Sequence, residues 1–188
     1  MIITQIKEHQ QVVNALLTQC IPSIKKITEL CKDAILNGHT IFLCGNGGSA
    51  ADSQHIAAEF VGRFLKERKS LPAIALTTDT SILTAVGNDY GFDKVFCRQI
   101  EALGNPGDVL IGISTSGNSN NVVYALEKAK VKKMKTIAFT GNKSSESEKI
   151  ADITLKIPST VTARIQECHI LVGHILCNAI DEITISSF

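Results

Sequence analysis

A chain of 188 residues, 44% of them hydrophobic, is long enough to close one full core as a single domain. Its 19 basic and 18 acidic residues are well mixed, which excludes the basic stripe of a nucleic-acid binder, and the lack of Trp argues against a stacking platform for single strands. No run approaches the roughly 20 apolar residues of a membrane span.

The opening Met1-Ile2-Ile3-Thr4-Gln5 lacks the basic and apolar regions of a signal peptide. None of the six cysteines (20, 31, 44, 97, 168, 177) forms a CxxC pair, so they read as buried reduced thiols of a cytoplasmic protein.

From about residue 5 to 37, Ile6, Val13, Leu16, Ile24, Ile27, Cys31 and Ile35 recur at helical spacing. Pro22 divides the stretch into two helices, and Asn37-Gly38 is a stop. Beyond it, short β-rich runs at Thr40–Cys44, Ala73–Leu76, Val109–Ile113, Thr136–Phe139 and Ile153–Ile157 alternate with helical stretches. The helices fall at about 50–64, 80–86, 92–103, 119–131, 144–150 and 163–183. Apolar strands separated by helices predict an α/β fold, a three-layer αβα sandwich on a five-stranded parallel sheet. Ligands then bind beyond the carboxyl ends of the strands.

Two loops follow strands and precede helices, so both open on that edge. Gly45-Asn46-Gly47-Gly48-Ser49-Ala50 matches the dinucleotide pattern G-x-G-x-x-A, but the second strand ends Leu76-Thr77-Thr78, and Asp79 comes late for a ribose ligand. The reading left is anion or hydroxyl binding by backbone N–H groups at a helix N-terminus, against a plain tight turn that needs glycine.

The helix after this loop carries the polar stripe Asp52, His55, Glu59 and Arg63, opposite Ile56, Ala57, Phe60, Val61 and Phe64. His55 and Glu59, four apart, converge on one point. Such a pair is commonly a solvated helix face, but its place just past the glycine loop points it into the ligand crevice.

Ser114-Thr115-Ser116-Gly117-Asn118-Ser119 brings hydroxyls to a second helix N-terminus, suited to a phosphate, with a Ser/Asn turn as the plainer reading. No Walker lysine is present. Gly87-Asn88-Asp89-Tyr90-Gly91 reads as a turn, with Asn88 and Asp89 as candidate hydroxyl ligands. The last helix is apolar almost all round, hence buried. In it Glu167, His174, Asn178 and Asp181 share a face, Gln166 points elsewhere, and Gly173 suggests close approach of another backbone.

On CGNGGSAADSQHIAAEFVGRF (44–64), VGNDYGFD (86–93), GDVLIGISTSGNS (107–119) and ARIQECHILVGHIL (163–176), the whole chain resembles the sedoheptulose-7-phosphate isomerases, or phosphoheptose isomerases, of the sugar-isomerase (SIS) domain superfamily. The resemblance implies one SIS domain over 1–188, its N-terminal helices used in oligomerisation. It also implies a homotetramer with interfacial active sites, and zinc held by His55, Glu59, Gln166 and His174. Glu59 and His174 become the catalytic pair, and Asn46, Gly47, Gly48, Glu59, Asn88, Asp89, Ser114, Thr115, Ser116, Ser119 and Gln166 contact the sugar phosphate.

Gln166 and His174 are eight residues apart, about 12 Å along a helix and about 80° around it. A neighbouring subunit is therefore expected to supply at least one of them to any shared metal. The alternative is a non-catalytic module of the superfamily, of the replication-initiator-associating type. Relatives of that kind lack the Glu and the late His that this chain keeps.

Overall fold

The structure, a computed structural model, describes the backbone through residue 184 and side chains through residue 182. Helix α1 (Ile2–Gln19) leads into α2 (Ile21–Leu36), where Pro22 occupies the first turn, a position whose N–H has no helical partner to lose. Gly38, at φ +77°, turns the chain out of α2. The five strands are β1 (Ile41–Gly45), β2 (Ala73–Ala75), β3 (Val109–Ile113), β4 (Lys135–Thr140) and β5 (Ile153–Lys156). They pair entirely in parallel, in the order β2-β1-β3-β4-β5. The order reverses between β1 and β3, and that switch point opens a crevice at the strand ends.

Helices α3 (Gly48–Val61), α4 (Thr80–Tyr90), α5 (Val95–Leu103), α6 (Asn120–Val131), α7 (Glu146–Ile150) and α8 (Thr162–Thr184) complete the chain, with a 3₁₀ turn at Phe92–Lys94 before α5. Successive strand residues face opposite layers. Ile41, Leu43, Ile111, Ile137 and Phe139 pack with α1, α2, α3 and α8, whereas Phe42, Cys44, Leu110 and Ala138 pack with α5 and α6. The expected α/β architecture is therefore present, with β1, β3 and β4 buried on both faces.

Three local readings change. Gly87 to Tyr90 is the last turn of α4 rather than a loop, because Leu83 and Val86 pack against the core and carry the helix to Gly91, which stops it at φ +87°. Helix α3 ends at Gly62, so Arg63 and Phe64 leave its faces, and Val61 is exposed rather than core. Helix α8 is not buried all round: Ile175 is 40% exposed. All six cysteines are unpaired and buried, as expected. Among the described residues no helix is long and apolar enough to cross a membrane.

Candidate active site

The crevice is built from the β1–α3 and β3–α6 loops. Gly47, at φ +54° and ψ −121°, makes the turn into α3 in a conformation closed to side chains. A Cβ at Gly48 would fall 2.7 Å from Gln166 Nε2, so the glycine lets the Gln166 amide of α8 lie against the first turn of α3. On the other loop the Ser114 hydroxyl lies 3.0 Å from that of Ser119 and 3.3 Å from that of Ser116, and accepts the Gly117 N–H. Ser119 precedes α6 but turns its hydroxyl to Ser114 instead of capping the helix.

Gly117 sits at φ +68° against Ser145, where a side chain would collide. Thr115 and Ser116 also border a cavity of about 330 Å³, whose far wall includes Lys143 and Thr162. The loops are joined by a side-chain pair absent from the sequence reading. Asn46 Nδ2 donates to Asn121 Oδ1 at 2.9 Å, and Asn121 Nδ2 donates to Asn46 Oδ1 at 2.8 Å.

About two and three turns into α3, His55 and Glu59 meet α8. His55 Nε2 lies 2.9 Å from His174 Nε2, and Glu59 Oε1 lies 3.5 Å from the same His55 nitrogen. Two imidazole nitrogens at that distance share one proton between them, so one ring donates and the other accepts. The contact is possible because Gly173 brings α8 close to α3. Its neighbour there is the Ile56 side chain, 2.6 Å from where a Cβ would stand, and not a backbone as the sequence suggested. Asp52, one turn earlier, is raised above its usual value because burial outweighs the pull of the His55 and His174 imidazoles.

Phe64 stacks on His174, with ring centroids 5.4 Å apart and planes within 18°. A buried ion pair fixes the segment that carries it. Asp181 accepts N–H groups from Leu65 and Lys66 and pairs with Arg68 at 2.8 Å. Arg68 in turn donates to the carbonyls of Glu59, Phe60 and Gly62, closing the C-terminus of α3. Burial alone would raise the Asp181 carboxyl, but the two amides and the guanidinium outweigh it and hold it below the usual range.

Of the α8 residues expected on one face, Glu167 turns to Arg164 and His9 of α1, while His174 and Asp181 face α3 and its exit loop. Asp79 is the N-cap of α4, accepting the Ile82 N–H, which removes it from any ribose role. Asn88 and Asp89 are exposed and the Asn88 amide donates to the Asp89 carboxylate.

Gln166 lies at Gly48 and His174 at His55, about two turns further along α3. Two imidazoles and a carboxylate one helical turn away are donors of the kind zinc takes. Among the described residues, however, no three His, Cys, Asp or Glu side chains stand arranged as a ligand group, and Gln166 lies against Gly48 in the first turn of α3. Sequence reasoning missed Phe64 and Asn121, whose roles depend on contacts 110 and 75 residues away along the chain.

Residues 6–141 match the SIS domain family. The chain is 54% identical over 178 residues to a phosphoheptose isomerase of Nitratiruptor, covering 95% of each chain. It is 50% identical over 182 residues to a phosphoheptose isomerase of Burkholderia pseudomallei, covering 96% of this chain and 92% of that one. The structure superposes on the phosphoheptose isomerase of Neisseria gonorrhoeae with a TM-score of 0.91 at 44% identity, covering 96% of this chain and 97% of the other.

Proposed function

The chain belongs to the SIS-domain family and, within it, to the phosphoheptose isomerases, and from that premise we propose how its crevice works. It is an aldose–ketose isomerase that converts D-sedoheptulose 7-phosphate to D-glycero-D-manno-heptose 7-phosphate, the entry to bacterial surface heptose for lipopolysaccharide or capsule. The observation that carries this reading is the meeting of His55, Glu59 and His174 about two to three turns into a helix whose N-terminus adjoins a hydroxyl-lined loop.

The reaction moves a proton between C1 and C2 through an enediol, so one base must take and return it while another group serves the oxygens. Glu59 takes the carbon-bound proton and delivers it to the neighbouring carbon. His174, its ring steadied by Phe64, exchanges protons with the substrate oxygens during isomerisation and ring opening. Ser114, Thr115, Ser116 and Ser119 receive the phosphate, exchanging hydroxyl–hydroxyl bonds for bonds to its oxygens beside the N-terminus of α6. Asn46, Gly47, Gly48 and Gln166 line the path between phosphate and reacting carbons, and Asn88 and Asp89 add hydroxyl contacts.

One zinc ion per subunit would be held by His55, Glu59 and His174, which meet within one chain, with a Gln166 supplied by a neighbouring subunit as the fourth donor. When bound, the ion supplies Lewis-acid polarisation of the carbonyl. The single SIS domain spans 1–188 and assembles as a homotetramer with active sites at subunit interfaces. Ile2, Ile3, Ile6 and Leu17 of α1, all more than half exposed, support the N-terminal helix as an assembly face. Six unpaired buried thiols support a cytoplasmic location.

Incubation of the purified protein with D-sedoheptulose 7-phosphate, with and without added zinc, tests the reading. Formation of the aldose is expected, and none under either condition contradicts it and favours a non-catalytic binding module.

A further inference from the structure

We propose that Asn121 is a positioning residue, whose paired amide with Asn46 sets the spacing between the phosphate-holding loop and the loop that leads to the reacting carbons. The inference rests on the isomerase reading. Beyond the last paired residues, Gly45 and Ile113, β1 and β3 part into their separate loops. Among the described residues no backbone hydrogen bond joins residues 46–50 to residues 114–121, so these two loops are tied by the reciprocal amide pair itself.

The pair is asymmetric in burial. Asn121 is 3% exposed in the first turn of α6, packed into a rigid element, whereas Asn46 is half-buried on a turn made of glycines. Rigidity therefore passes from α6 to the glycine loop. Each amide spends one N–H and one carbonyl lone pair on its partner, which leaves Asn46 one N–H and one lone pair for a hydroxyl of the sugar. A seven-carbon chain fixed by its phosphate at one end presents C1 and C2 to Glu59 only if the two loops keep their distance. A displacement of about 1 Å between such elements costs on the order of 100-fold in rate. Asn121 touches none of the reacting atoms and acts through Asn46.

The test compares Asn121→Ala and Asn121→Asp with the wild-type protein, in turnover of sedoheptulose 7-phosphate and in competitive inhibition by inorganic phosphate, which engages the serine loop alone. For Asn121→Ala, kcat falls at least about tenfold, while the inhibition constant for phosphate stays within about twofold. In Asn121→Asp the carboxylate still accepts from Asn46 Nδ2 but faces the Asn46 carbonyl with a lone pair. Its kcat/KM relative to wild type therefore rises as falling pH protonates the carboxyl and restores the donor.

Unchanged kcat in Asn121→Ala overturns the proposal, as does loss of phosphate inhibition in step with kcat, or an Asp/wild-type ratio flat with pH. If the wild type does not turn over the sugar, the isomerase reading fails separately. The pairing is still decided by the Asn46 side-chain amide protons, which are slow to exchange in wild type and fast in Asn121→Ala if it holds. Fast exchange in wild type overturns it.

Discussion

His169 of α8 is wholly buried, with Nε2 3.2 Å from the Thr140 carbonyl and Nδ1 without a hydrogen-bond partner among the described residues. Burial pushes its pKa down to about 4, against a smaller opposing effect of the Thr140 hydrogen bond. The unfolded chain takes up this proton near the ordinary value of 6.5 while the folded chain refuses it. Stability supplied by the neutral ring is thus complete above 6.5 and drains away as pH falls toward about 4, by roughly 3 kcal/mol in all. Denaturant midpoints across that window should fall for wild type and fall less for His169→Gln, which keeps a donor for Thr140. Parallel pH curves for the two would refute the assignment.

At the same scale, His55 and Glu59 were legible because i, i+4 spacing is set by the helix itself. His174 entered only through the resemblance, since a lone histidine on an apolar helix reads as core. Phe64 packs partly against the core, as its apolar character suggested, but from the loop after Gly62 rather than from the helix face, which is why its stacking on His174 was not legible. Asn121 carried no local signal at all.

Among elements, the approach of α3 to α8 sets the site. Gly173 lets Ile56 lie where any side chain would clash, one residue from His174 on one helix and one from His55 on the other. Asn88 and Asp89 teach the complementary lesson. Turn-forming residues yielded to the packing of Leu83 and Val86, so local propensity lost to tertiary contact. Gly173→Ala should therefore separate the helices by a few tenths of an ångström or more. The expected outcome is a loss of about 1–3 kcal/mol in stability from overpacking, with kcat reduced more than phosphate affinity. Equal turnover in wild type and Gly173→Ala would show that the His55–His174 contact does not govern the reaction.

For the molecule as a whole, the parallel sheet and its two covering layers followed from alternating apolar strands and helices, because parallel sheets must be covered on both faces, whereas the strand order β2-β1-β3-β4-β5 came from the structure. What the pattern could not supply was how copies associate. Helix α1 keeps Ile2, Ile3 and Ile6 exposed in the single chain, a cost that the proposed tetramer would remove. Light scattering should give four times the 20.2 kDa chain mass for wild type, and a smaller species for Ile6→Lys. A monodisperse 20.2 kDa wild-type species would contradict the assembly.

In the proposed reaction, Glu59 is the group that handles the carbon-bound proton. The direct measurement is solvent-deuterium incorporation at C2 of the product in wild type and in Glu59→Gln, whose amide keeps the shape of the carboxylate but cannot take the proton. Wild type should incorporate deuterium, with exchange in the variant slower by about 10²–10⁴-fold. Exchange at the wild-type rate in Glu59→Gln would contradict the account.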